Sequence, residues 1–147
     1  MHCVNLSVQD VVKNVPLMRD FLQFTGDLIN FVRDSPKRCA IVRNAAEVLN
    51  NPQTHIRPLC PTRFTCKYNA LSGLTKQLLV VIQALESIEA ESSDRTISSK
   101  ANGFLHRLGD FDTIFALCVA LRLFELTDRL SCQLQGVSVI VLERAYT

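Results

Sequence analysis

Apolar side chains recur at the spacing of an α-helix along most of the chain. The clearest stripe follows Pro16, with apolar residues at offsets of 0, 4, 7, 11, 14 and 15 positions: Leu17, Phe21, Phe24, Leu28, Phe31 and Val32. Such a stripe is typical of a helix that buries one face. A short valine-rich helix precedes Pro16, which must end that helix or redirect the chain. The pattern predicts an all-α fold, a helical bundle of about five to seven helices.

A third helix is predicted to begin after Ser35, because serine is a frequent N-cap and Pro36 suits the first helical position. Asn50-Asn51-Pro52 would end this helix. Its outward positions carry three cations: Lys37, Arg38 and Arg43.

The longest helix is predicted to run from Arg63 to Glu89, where apolar residues alternate steps of three and four. They form a seam for a partner helix: Leu71, Leu74, Leu78, Val81, Leu85 and Ile88. A free coiled coil needs more heptads, so we expect the partner to be another helix of the same domain. The seam is also a candidate surface for a partner protein or for self-association.

The last third of the chain continues the helical spacing from Ile97 to Cys118, although Gly103 and Gly109 would loosen or break a helix there. Residues 114–126 are so apolar that they predict a central core helix, too short to span a bilayer. Gly136 is typical of a helix stop. We therefore assign residues 1–136 to one helical domain. Residues 137–147 form a divergent, β-prone carboxyl-terminal tail with no predicted place in it.

Composition fits a single globular domain of 147 residues, with 48% hydrophobic and 20% charged residues. The six cysteines include no C-x-x-C pair, and no signal peptide precedes them, so we interpret them as reduced thiols of an intracellular protein. A zinc site through Cys60 and Cys66 would need two further ligands that the spacing does not supply. We predict no metal, no cofactor and no membrane segment.

The segment around Pro58 and Pro61 is the part of the chain that helical periodicity does not explain. Arg57, Arg63 and Lys67 lie close in sequence to Phe64 and to Tyr68. Cations next to rings are suited to holding a phosphate backbone and stacking on a base. In the competing interpretation the ring begins the core face of the long helix and the cations are solvated.

The net charge of +2 is unevenly distributed along the chain. Residues 33–76 hold eight Lys or Arg against Asp34 and Glu47. This excess favours a polyanionic partner such as DNA, although cations scattered around helices would give the same count. The strip Lys37, Arg38 and Arg43 is then a second candidate for nucleic-acid contact.

Sequence signatures of hydrolases, kinases and nucleotide-binding proteins are missing from the chain. Asp110 and Asp112 are two positions apart, and on a helix they would not face one another as paired acid and base. His106 lies beside an apolar stripe and is interpreted as a surface histidine. We predict no enzyme and no small-molecule substrate.

Five short segments, taken in chain order, resemble hAT-superfamily DNA transposases, especially the transposon-derived proteins of the zinc finger MYM type and the repressors of the inhibitor of the protein kinase. The segments are His2–Leu6, Phe31–Arg38, Leu59–Phe64, Lys100–Phe104 and Leu130–Gln135. The similarity covers residues 2–136. It implies that this chain corresponds to the helical insertion of a ribonuclease-H-like catalytic domain.

The resemblance also implies roles for single residues. Positions that match family motifs are His2, Asn5, Cys60, Pro61, Thr62, Arg63 and Phe64. Arg63 and Phe64 match an Arg-Trp pair that lies near the transposon end in relatives, where the Trp stacks on a flipped base. Phenylalanine can still stack, with less area and without an indole N–H.

The departures from the family pattern determine the expected function. None of the family's three metal-binding carboxylates can be matched, and its zinc finger and dimerisation region are missing. Strand cleavage by two metal ions needs those carboxylates. We therefore expect a catalytically inactive fragment or domesticated remnant of a transposase, DNA-associated and nuclear. Two alternatives remain: a plain helical protein-interaction domain without DNA binding, and a helical enzyme with an unrecognised site.

Overall fold

The computed structural model describes residues 8–10, 12–51, 56–59 and 64–145, with side chains described except at residues 64, 65 and 135–145. Within these ranges the chain forms helices and contains no strand, which confirms the all-α prediction. Helix α1 covers residues 8–10 and 12–14. The others are α2 (Pro16–Arg33), α3 (Pro36–Val48), α4 (Phe64–Lys76), α5 (Leu78–Glu91), α6 (Arg95–Gly109) and α7 (Phe111–Ala145).

The junction between α2 and α3 follows from local chemistry. The Asp34 backbone N–H donates to the Asn30 carbonyl at 2.8 Å and closes the last turn of α2. Ser35 is extended, and its hydroxyl oxygen accepts from the Arg38 backbone N–H at 3.5 Å. Pro36 occupies the first helical position. The predicted start of the third helix is confirmed.

The predicted single helix from Arg63 to Glu89 is wrong, because α4 and α5 are separate helices that meet at Gln77. Gln77 leaves the helical conformation (φ −108°, ψ 13°). The carbonyl of Lys76, the last residue of α4, accepts a hydrogen bond at 3.2 Å from the side-chain amide of Asn51. Asn50, the residue before Asn51, has a φ of 50°, a left-handed conformation that asparagine tolerates. The end of α3 therefore supplies a donor to the break between α4 and α5.

The hydrophobic core consists of two clusters that share helices α2 and α4. The first joins α2, α3, α5 and α6 with Leu74 of α4, around fully buried residues such as Leu28, Val81 and Leu85. The second joins α2, α4 and α7 around Leu71 and Phe124. Leu59 packs against both clusters. Side chains on neighbouring faces of α2 thus hold the two halves together.

The predicted seam lies inside these two clusters except for Leu78. Five of its six residues are buried, namely Leu71, Leu74, Val81, Leu85 and Ile88, and Leu78 is half-buried. The seam packs against helices of the same chain. It is therefore not available to a partner protein or for self-association, and the prediction of such a docking surface is wrong.

Helix α7 differs from its prediction in three ways. It begins at Phe111, because the chain turns to extended conformation at Asp110 (φ −71°, ψ 135°) and divides the predicted stripe between α6 and α7. It continues through Gly136, so the predicted stop is wrong and the β-prone segment is helical as far as Ala145. In residues 111–134, whose side chains are described, only one face is buried, where Ala116 and Phe124 lie at 0% exposure. None of the described helices has the length and apolar character needed to cross a membrane.

Candidate nucleic-acid interface

Arg63, a predicted nucleic-acid contact, lies outside the described part of the chain. So do five further positions that match family motifs: His2, Asn5, Cys60, Pro61 and Thr62. Phe64 is the first residue of α4, and its side chain is likewise outside the description. The remaining five cations can be placed. Arg57, Lys37 and Arg43 are exposed, Arg38 is half-buried, and Lys67 is buried.

Arg38 is held in a fixed position at the start of α3. Its Nε–H donates to the carbonyl oxygen of Phe31 at the end of α2. The guanidinium carbon lies 4.4 Å from the centroid of the Phe31 ring, which is within the range of a cation–π contact. Two restraints on one side chain lower the entropy that it would lose on binding an anion.

Arg38 forms one wall of an open groove of about 540 Å³ between α2, the start of α3 and α6. We call it the aromatic groove; it is lined by Phe24, Asp27, Asn30, Phe31, Asp34, Arg38, Lys100, Gly103, Phe104 and Arg107. Phe104 packs against Phe24 and Phe31 with ring centroids 5.8 and 5.2 Å apart. Three rings thus form the apolar wall of a groove edged by cations.

The cations of the aromatic groove are available for an external anion. Arg107 lies 4.6 Å over the ring of Phe24, and Lys100 is seven residues earlier on α6, so both project from the same side of that helix. In the described part of the chain, neither these two nor Arg38 forms an ion pair. The carboxylates of Asp27 and Asp34 also line the groove, so its three cations leave a formal excess of one positive charge, which favours an anion.

A second open groove, of about 490 Å³, lies on the other side of α2. We call it the lysine groove; it is lined by Gln9, Val12, Lys13, Arg19, Leu22, Gln23, Gly26, Asp27, Asn30, Leu59 and Lys67. Asp27 and Asn30 line both grooves, so α2 is the ridge between them. Arg19 forms an exposed ion pair with Asp20 at 3.0 Å.

The location of Lys67 differs from the prediction. A surface phosphate contact was expected, but the residue is only 8% exposed at the wall of the lysine groove. The long aliphatic chain of a lysine can be buried while its amino group stays near solvent. Lys67 and Arg38 therefore lie in different grooves on the two sides of α2. Arg57, Lys37 and Arg43 line neither groove.

Sequence reasoning missed the cations that complete both grooves: Lys13, Arg19, Lys100 and Arg107. A signal was present for two of them. Lys100, Phe104 and Arg107 are spaced by four and three residues, which places a ring between two cations on one face of a helix. The signal was hidden because Phe104 also belongs to the apolar stripe of α6.

Within the described residues, no group of three or more His, Cys, Asp or Glu side chains is arranged to hold a metal ion. No family model and no solved structure matches this chain. The resemblance to hAT transposases stays a prediction.

Proposed function

We propose that this domain binds nucleic acid without cleaving it, as a remnant of a hAT-type transposase that acts in the nucleus. The observation that supports the proposal is the pair of open grooves on the two sides of α2, lined together by six cations and two carboxylates. Phosphate contacts from such cations provide most of the non-specific affinity of DNA-binding proteins. The family's catalytic carboxylates have no match in this sequence, so the proposal includes no strand cleavage.

The dimensions of the ridge suit a DNA duplex. A helix with its side chains is about 10–12 Å across, close to the roughly 12 Å width of the major groove of B-DNA. The outer face of α2 carries the exposed polar residues Gln23, Asp27 and Asn30, which are able to hydrogen-bond to base edges. Cations on both sides of the ridge would then reach phosphates of both strands.

Fluorescence anisotropy with a labelled duplex, titrated at salt concentrations from about 50 to 200 mM, tests the proposal. A Lys100→Gln/Arg107→Gln variant removes two cations from the aromatic groove. We expect the slope of log K against log salt to fall by about 2, since each lost phosphate contact removes about 0.9. Lys13→Gln in the lysine groove should lower it by about 1.

Arg95→Gln is the matched control. Arg95 is exposed on α6, like Arg107, and carries the same charge, but it is the first residue of the helix and does not line the groove. Its position differs from those of Lys100 and Arg107 by more than a quarter turn around the helix axis. Absence of duplex binding by the unmodified protein would refute the proposal, as would an equal change of slope for Arg95→Gln.

A further inference from the structure

Helix α7 exposes an unusual number of large apolar side chains. Seven such residues have between 39% and 77% of their surface exposed to solvent: Phe111, Ile114, Phe115, Val119, Leu126, Leu130 and Leu134. We call them the α7 stripe. It extends over roughly 35 Å at 1.5 Å per helical residue. Elsewhere in the described part, the exposed large apolar residues are Val15, the neighbours Val48 and Leu49, and Leu79, a scatter that is normal for a soluble protein.

Six residues of the stripe are arranged symmetrically about the peptide bond between Arg122 and Leu123. Three pairs lie at equal distances along the helix on either side of it: Phe111 with Leu134, Phe115 with Leu130, and Val119 with Leu126. If a second copy of α7 runs antiparallel across this point, each residue of a pair meets the other residue of that pair. A two-fold symmetric interface requires this kind of self-complementarity.

The charges at the centre of the stripe are compatible with such pairing. Glu125 forms ion pairs with Arg122 at 3.3 Å and Arg129 at 2.9 Å on its own helix. The carboxylate therefore needs no partner from a second copy. Arg122 is 83% exposed, and its long side chain can extend to the rim of an interface and keep its charge in water.

The size of the stripe indicates a reversible contact. Its six paired side chains present on the order of 500 Å² of apolar surface, more than isolated surface residues do and less than the roughly 800 Å² that each partner contributes to a standard interface. We propose that the α7 stripe mediates symmetric, antiparallel self-association of this chain. The proposal is independent of nucleic-acid binding, because no residue of the stripe lines either groove.

Sedimentation velocity of the full chain, from about 5 to 300 μM, measures the association. We expect a monomer–dimer equilibrium. Val119→Glu and Leu126→Lys should each weaken the dimer by about tenfold or more, because a symmetric interface contains every substitution twice. Leu79→Lys is the matched control, since Leu79 is 72% exposed on α5, outside the stripe. It should leave the dimer unchanged.

Combining Val119→Glu and Leu126→Lys in one chain tests the orientation. In the antiparallel pair each introduced glutamate faces the introduced lysine of the other copy, so the double variant should recover dimerisation lost in the single variants. A parallel pair would instead place like charges opposite each other. Circular dichroism and melting temperature verify that each variant folds. The proposal is overturned if the chain remains monomeric at the highest concentration, if Leu79→Lys weakens the dimer equally, or if the folded double variant fails to recover.

Discussion

Gln77, at the break between α4 and α5, is the position where a single substitution should stabilise the fold. The residue is only 2% exposed, and its Oε1 accepts no hydrogen bond in the described part of the chain. Its side chain forms no cap for α5, while its backbone N–H is shared between the carbonyls of Gly73 and Leu74 at 3.2 and 3.1 Å. Gln77→Met keeps the length of the side chain and all backbone bonds and removes the buried amide.

The expected magnitude follows from the desolvation of that oxygen. A buried polar group without a hydrogen bond costs about 1–3 kcal/mol, and methionine adapts to irregular space in a core. We expect Gln77→Met to raise the free energy of unfolding by about 1–2 kcal/mol, the lower part of that range, because the glutamine N–H₂ group is lost as well. For a chain of this length, that corresponds to a rise in melting temperature of roughly 2–8 °C.

Urea unfolding followed by circular dichroism measures the change, with the midpoint and the slope fitted separately. Gln83→Met on the exposed side of α5 is the matched control, and surface substitutions of this kind stay within about 0.5 kcal/mol. A Gln77→Met protein that is less stable than the unmodified chain, with an unchanged slope, would refute the reasoning. It would show that the amide stabilises the break.

Two further predictions concern one residue each. Phe124→Ala should lower the free energy of unfolding by about 3–5 kcal/mol in the same urea assay, because Phe124 is 0% exposed in the second core cluster, with Leu71; a loss below about 1 kcal/mol would contradict the described packing. Phe64→Ala should weaken single-strand binding by about 1–3 kcal/mol and leave duplex binding nearly unchanged if the family resemblance holds. A destabilised variant with unchanged single-strand affinity would instead assign Phe64 to the core.

The amino-terminal half of the fold could be predicted because its signals are local. The α2 stripe has a continuous helical period and the junction to α3 combines a serine cap with a proline. Each of these features acts within a few residues.

The break at Gln77 was not predictable in the same way. The apolar period of Leu74, Leu78 and Val81 continues through it, and no proline or glycine occupies the position. The donor that accompanies the break comes from Asn51, which is distant in sequence. For α7, composition indicates that residues 114–126 are apolar, but it does not indicate that neighbouring helices cover only one face of this helix. The glycine at 136 costs about 1 kcal/mol in a helix interior, too little to end one by itself.

The candidate interface was predictable in part. Arg38 was identified as a cation of α3, and Lys67 as a cation of the fourth helix, but their separation by α2 is a property of the tertiary structure. A linear charge count grouped Arg57 with Lys67 because they are near in sequence. Folding leaves Arg57 exposed and buries Lys67, while it brings Lys100 and Arg107 from a distant helix to the groove of Arg38.

The division of the core into two clusters affects the order in which parts of the protein unfold. Phe21 on α2 belongs to one cluster, whereas Phe24 and Leu28 on the same helix belong to the other. A local opening that detaches α7 from α4 leaves the cluster around Leu85 covered. An opening that detaches α2 uncovers both clusters at once and amounts to global unfolding. The amide protons of α2 should therefore be among the slowest in the described part of the chain to exchange with solvent, because α2, together with Leu71 and Leu74 of α4, couples the two clusters.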